Sequence, residues 1–154
     1  MTERTWTARL GELGITLPPV AKPVAAYVPA MRSGDTVYTS GQLPMVDGAL
    51  AYTGKVGADV SPEDAKAAAR VAALNALAAV DALVGIDNVV SIVKVVGFVA
   101  SADGFTGQPT VINGASELLG EIFGDIGAHA RSAVGVAELP LGAPVEIELI
   151  VEVN

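Results

Sequence analysis

The chain has 154 residues, of which 51% are hydrophobic and only 5% aromatic, with 17 acidic and 9 basic side chains for a net charge of −8 and a mean hydropathy of +0.51. That length suits one domain with a sizeable core, and the negative surface potential disfavours nucleic acid and anionic lipid as partners. Cysteine is absent, which excludes disulfides, thiolate nucleophiles and cysteine-ligated zinc.

The stretch to about Lys22 contains Gly11, Gly14, Pro18 and Pro19 and reads as an irregular arm with one helical turn around Arg9 to Leu13. From Ala25 to Met31, and again from Thr36 to Gln42, β-branched and aromatic residues recur on either side of Ser33-Gly34-Asp35, which predicts two strands joined by a turn. Val46-Asp47-Gly48 predicts another tight turn. Ser61-Pro62-Glu63-Asp64 is a helix start, with a hydroxyl cap, a proline in the first turn and acids near the positive helix end. The helix is expected to run to Val84 and stop at Gly85, with Ala65, Ala69, Ala73, Leu77, Val80 and Val84 on one apolar face. Val89 to Ala100 reads as a buried strand and Thr110 to Phe123 as a second helix ended by Gly124. Two more strands follow, Ser132 to Glu138 and Val145 to Val153, joined by the turn Leu139-Pro140-Leu141-Gly142.

In the last strand Val145, Ile147, Leu149, Val151 and Val153 alternate with Glu146, Glu148, Ile150 and Glu152, so one face is buried and the other carries carboxylates. The order β-β-α-β-α-β-β predicts a single α+β domain with two helices on one face of a mixed sheet. Small aliphatic residues exceed what one core requires, so the uncovered sheet face is expected to lie between subunits. Glu3 and Arg4 precede no apolar stretch, and the Val89–Ala100 run, broken by Lys94, is too short to span a bilayer. A cytoplasmic protein with no membrane partner is therefore expected.

Several familiar motifs fail. Gly54-Lys55 lacks the earlier glycine and the following hydroxyl of a phosphate-binding loop, with Ala49 and Val56 in those places. Ser91 and Lys94 have the spacing of an acyl-transfer dyad but sit on a strand, where simple alternation sends them to opposite faces. His129 is the sole histidine, which removes multi-histidine metal sites and leaves any serine triad dependent on it; it reads as a loop residue without special role.

Arg131 stands at the start of a strand after a loop, where a guanidinium can give two parallel hydrogen bonds to a carboxylate. On residues alone it serves equally as a structural arginine paired within its own chain. The run Arg131-Ser132-Ala133-Val134-Gly135-Val136-Ala137-Glu138-Leu139-Pro140, followed by Val145-Glu146-Ile147-Glu148 and preceded by Tyr27 and Thr39-Ser40-Gly41-Gln42-Leu43-Pro44, resembles the Rid family. These are the reactive-intermediate imine deaminases, also called YjgF or endoribonuclease L-PSP-like proteins. The resemblance covers about Pro23 to Val153.

It implies a chorismate-mutase-like fold and a homotrimer with a site in each intersubunit cleft. Arg131 then matches the arginine that clamps a substrate carboxylate, and Glu146 the acid that positions a hydrolytic water. Tyr27, Ser40, Gly41, Asn113 and Ala133 match positions lining or shaping the cleft. Ala133 departs from the cysteine of the best-known members, which leaves a backbone role open to it and a thiol role closed. The implied activity is hydrolysis of small enamines or imines of amino acids to 2-keto acids and ammonia, with no metal or organic cofactor. Two other readings stand beside it: a trimer that binds small carboxylates without turnover, and an endoribonuclease, against which the acidic charge and single histidine argue.

Overall fold

The computed structural model describes residues 5–22 and 26–154. Helix α1 (Trp6–Glu12) is followed by strands β1 (Ala30–Ser33) and β2 (Thr36–Thr39), then by a small hairpin of β3 (Met45–Val46) and β4 (Ala49–Leu50). Next come helix α2 (Pro62–Val84), strand β5 (Val89–Ala100), helix α3 (Gln108–Phe123) and strands β6 (Ala130–Val136) and β7 (Val145–Val153). Five strands form one mixed sheet in the order β1-β2-β7-β5-β6, in which β5 and β6 are parallel and the other pairs antiparallel. Both long helices cover one face, so the expected α+β sandwich is the observed one.

Local chemistry explains most boundaries. The Ser61 hydroxyl accepts from the Asp64 amide at 3.1 Å to cap α2, and Gly85 ends it at φ 83°, a conformation glycine adopts without steric cost. Asp47 and Gly48 both have positive φ, as a two-residue hairpin turn matching strand twist requires. α3 begins at Gln108, two residues before the expected Thr110, with Pro109 in its first turn. β6 starts at Ala130 and ends at Val136, earlier than the expected Ser132 to Glu138. β1 covers only Ala30–Ser33, because Ala26 to Pro29 turn before it; Ala25, where that strand was expected to begin, lies outside the described residues. The arm is more ordered than its glycines and prolines suggest. Trp6 packs edge-on against Phe123 with centroids 5.1 Å apart and donates its indole N–H to the Val89 carbonyl at 2.9 Å.

α2 is long and apolar enough, by length and composition alone, to cross a membrane. Most of its alanines, and Leu77, are instead buried in the core against the sheet and α3. The five odd-numbered residues of β7 are all buried, as alternation requires.

β5 corrects one expectation. Its pairing with β7 shifts twice, between Val89 and Ser91 and between Ile92 and Lys94, each a bulge that re-phases the strand. Ser91 and Lys94, expected on opposite faces, therefore pair with Glu152 and Ile150 and share the open face. Ser91 donates its hydroxyl to Glu152 there.

Two glycines of α3 separate close packing from helix propensity. A β-carbon on Gly114 would overlap the Lys66 backbone carbonyl of α2, whereas one on Gly120 meets nothing within 4 Å. Gly120→Ala is expected to stabilise the protein by about 0.5–1 kcal/mol through helix propensity. Gly114→Ala should destabilise it by about 1–3 kcal/mol through overpacking. Urea titrations of both variants check the opposite signs.

Candidate functional site

The residues singled out in the sequence fall into two groups. The first is built on β6 and α3. Arg131 pairs in register with Val95 of β5, a fully buried residue under the helices, so its side chain points to the helix-covered face at the edge of the sheet. There Nη1 donates to Asn113 Oδ1 at 2.7 Å and to Ser116 Oγ at 3.3 Å. Ala133, two residues on, packs against the core from the same face.

Ser116 and His129 were not picked out as site residues by sequence reasoning, yet they fix this guanidinium. His129 Nδ1 lies 2.7 Å from the Gly127 carbonyl and Nε2 lies 2.8 Å from Ser116 Oγ. A carbonyl only accepts, so the Nδ1 proton faces Gly127, and in that tautomer Nε2 accepts a hydrogen bond from the Ser116 hydroxyl. The serine oxygen is then oriented to accept from Arg131. Ser116 stands three positions after Asn113 on the same helix face, the one signal in the sequence that joins it to the site.

Arg131 has five N–H donors, and the two on Nη1 are those engaged. Among the described residues the Nε and Nη2 edge makes no hydrogen bond, and no carboxylate lies within ion-pair distance of the guanidinium. That edge is the one that grips a carboxylate through two parallel bonds.

The second group lies around the start of β7. Glu146 pairs with Phe98 and stands on the open face, opposite to its buried neighbours Val145 and Ile147. Its carboxylate rests against Gly41, whose missing side chain makes the room: a β-carbon there would overlap Glu146 Oε1. Ser40 shapes the adjoining turn by donating its hydroxyl to the Val28 carbonyl and its amide to the Pro29 carbonyl. Tyr27 and Gly41 line one cavity beside it. The Glu146 carboxyl titrates above the ordinary carboxylate value, chiefly because burial penalises its charged form and secondarily because Glu148 repels it.

Within one chain, then, Arg131, Asn113 and Ala133 come together, and so do Tyr27, Ser40, Gly41 and Glu146. Arg131 and Glu146 themselves are on opposite faces of the sheet, and a single chain does not unite them.

This fold and these residues place the chain in the family described as "YjgF/chorismate_mutase-like, putative endoribonuclease", whose model matches residues 7–153. The chain belongs to that family, the YjgF or Rid family. It is 45% identical over 149 residues to Protein TCP17 of Trypanosoma cruzi, covering 96% of this chain and 93% of that protein. Its structure is similar to that of Atu1372 from Agrobacterium tumefaciens, with TM-score 0.87 and 46% identity over 97% of this chain and 92% of that one. It is also similar to Escherichia coli TdcF, solved with bound serine, with TM-score 0.63 and 25% identity over 90% and 94% of the two chains.

The raised proton affinity of Glu146 has a thermodynamic consequence. Because the folded state holds this proton more tightly than the unfolded one, the associated stability is present below the unfolded carboxylate value and is lost as pH rises through the folded one. Glu146→Gln removes that dependence. Its stability relative to the natural protein should rise as pH increases from about 4 towards neutrality and then level off, as urea unfolding at a series of pH values will report; parallel curves for the two proteins would refute the assignment.

Proposed function

We propose that this protein hydrolyses small enamine or imine derivatives of amino acids to 2-keto acids and ammonia, with Arg131 holding the substrate carboxylate. The observation that carries this reading is the free Nε and Nη2 edge of a half-buried guanidinium whose other nitrogen is anchored by Asn113 and Ser116. An anchored guanidinium loses little further freedom on binding, so more of each charge-assisted bond is realised as affinity. The bound serine of TdcF supports a ligand of this class, since serine carries a carboxylate.

In the proposed reaction water adds to the imine carbon. The carbon–nitrogen bond then breaks to release ammonia and leave the keto acid. Glu146, whose burial strengthens it as a base, orients that water, takes its proton as the carbon–oxygen bond forms and returns it to the nitrogen that receives the C=N electron pair; the same carboxylate then carries the hydroxyl proton of the carbinolamine to nitrogen as ammonia leaves. The imine is already electrophilic, so positioning accounts for most of the acceleration required.

Because Arg131 and Glu146 occupy opposite faces, a site using both takes them from neighbouring chains. A homotrimer with intersubunit clefts supplies such a site. Apolar side chains left exposed on the open face, among them Met31 (59% exposed), Tyr38 (47%) and Val134 (44%), support a face covered by another copy. In this reading Ala133 contributes through its backbone rather than through the thiol other members carry.

Generating 2-iminopropanoate in situ with an amino-acid oxidase and following its decay is the direct test. The protein should accelerate the decay, and Arg131→Ala should lower that acceleration by at least about 100-fold, the loss of two charge-assisted bonds. Arg131→Lys, which keeps the charge but not the planar fork, should fall between them. Absence of acceleration, or equal acceleration by Arg131→Ala, would refute the proposal; thermal stabilisation by 2-keto acids without hydrolysis would indicate a binding protein instead.

A further inference from the structure

A cavity of about 590 Å³ lies between the arm, the β3–β4 hairpin and the middle of α2, within the range of small-molecule sites. Pro18, Val20, Val46, Val71 and Leu74 form its walls. Gly41 and Tyr27 also line it, whereas Arg131 and Glu146 do not.

Two amides give it polarity. Asn75 is 3% exposed and Gln42 is 7% exposed, and both line the cavity. Asn75 directs its two N–H bonds from Nδ2 to the carbonyls of Leu43 and Met45, at 3.0 and 3.1 Å. That fixes the orientation of the group and leaves Oδ1 facing away from the hairpin. Gln42 commits one N–H of Nε2 to the Ser40 carbonyl at 3.4 Å. Among the described residues, neither oxygen accepts a hydrogen bond, yet no fully enclosed side-chain oxygen or nitrogen lacks a partner. Both oxygens therefore open onto accessible space, and for residues this deeply buried that space is the cavity. An acceptor placed in an apolar pocket favours a ligand that brings a donor and disfavours one that does not.

We infer that this cavity is a binding site for an uncharged, largely apolar small molecule that presents an N–H or O–H donor to the amide oxygens of Asn75 and Gln42. The charged residues at its lining, Lys22 and Asp47, are one of each sign and give no preference for an ion. The site shares Tyr27 and Gly41 with the Glu146 group, but its test reads binding alone and does not depend on imine hydrolysis.

Indole, an apolar bicycle with one N–H, is the probe, and benzothiophene, of the same shape without a donor, is its control. In a titration followed by amide NMR of the full chain, indole should bind saturably, with shifts concentrated in residues 16–22, 41–48 and 71–75. Benzothiophene should bind at least about threefold more weakly despite its greater hydrophobicity. Val71→Phe, which fills the cavity, should weaken indole binding at least about tenfold. Absence of saturable binding, equal or tighter binding of benzothiophene, or shifts concentrated elsewhere would each overturn the inference. Those outcomes decide it even if Val71→Phe fails to fold.

Discussion

Because β7 lies between β2 and β5 near the middle of the sheet, its odd-numbered side chains from Val145 to Val153 must leave water together while Glu146, Glu148 and Glu152 stand on the other face. Each of the five buried aliphatics contributes roughly 1.5–3 kcal/mol relative to exposure, and a slip of one residue would exchange them for three carboxylates. Register is thus fixed strongly at this strand. Its neighbours must fit it: a side chain at Gly41 would displace the Glu146 carboxylate, and Gln42 exchanges both backbone hydrogen bonds with Ile147.

β5 meets the same constraint with a sequence that does not alternate. Its residues from Val89 to Val96 are mostly β-branched and suit either face. Bulges at the two register shifts bring Val89, Ile92 and Val95 under the helices in turn, which holds the parallel partner β6 in phase. Arg131, aligned with Val95, thereby arrives beneath α3 rather than on the open face. From there Asn113 and Ser116 reach it, and the polarity of the chain from Gly127 through His129 and Ser116 sets which guanidinium edge is engaged. Gly97 allows this close layer, since a β-carbon there would overlap Ile112 of α3.

What the sequence discloses follows from how local each determinant is. Ser61, Pro62 and Gly85 act on the backbone within a few residues, so the bounds of α2 are readable from them. Asp47-Gly48 and the alternation of β7 are legible for the same reason. The bulges of β5 are not, because a run of valines carries no phase until β7 imposes one. The roles of Ser116 and His129 depend on contacts across 13 and 15 positions that no spacing rule encodes. Arg131 and Glu146 are identifiable as unusual residues, but their separation onto opposite faces emerges only from the paired strands. Asn75 sits amid alanines in the middle of α2 and looks like an interruption of its apolar face; its partners are hairpin carbonyls some thirty positions away.

Arg131 and Glu146 share an electrostatic peculiarity. Each is partly withdrawn from water, and among the described residues neither has an ion-pair partner. Withdrawing a charge from solvent without a counter-charge costs stability, and the sheet between these two prevents them from neutralising each other inside one chain. A fold selected for stability alone would pair or replace both, as it has paired Lys66 with Glu117 and Arg70 with Glu121 on the helix surface. Keeping them apart makes sense if each acts on something outside its own subunit. In the proposed reaction the substrate carboxylate neutralises Arg131, and the proton taken from water neutralises Glu146. The same two events relieve the cost of burial and advance the chemistry.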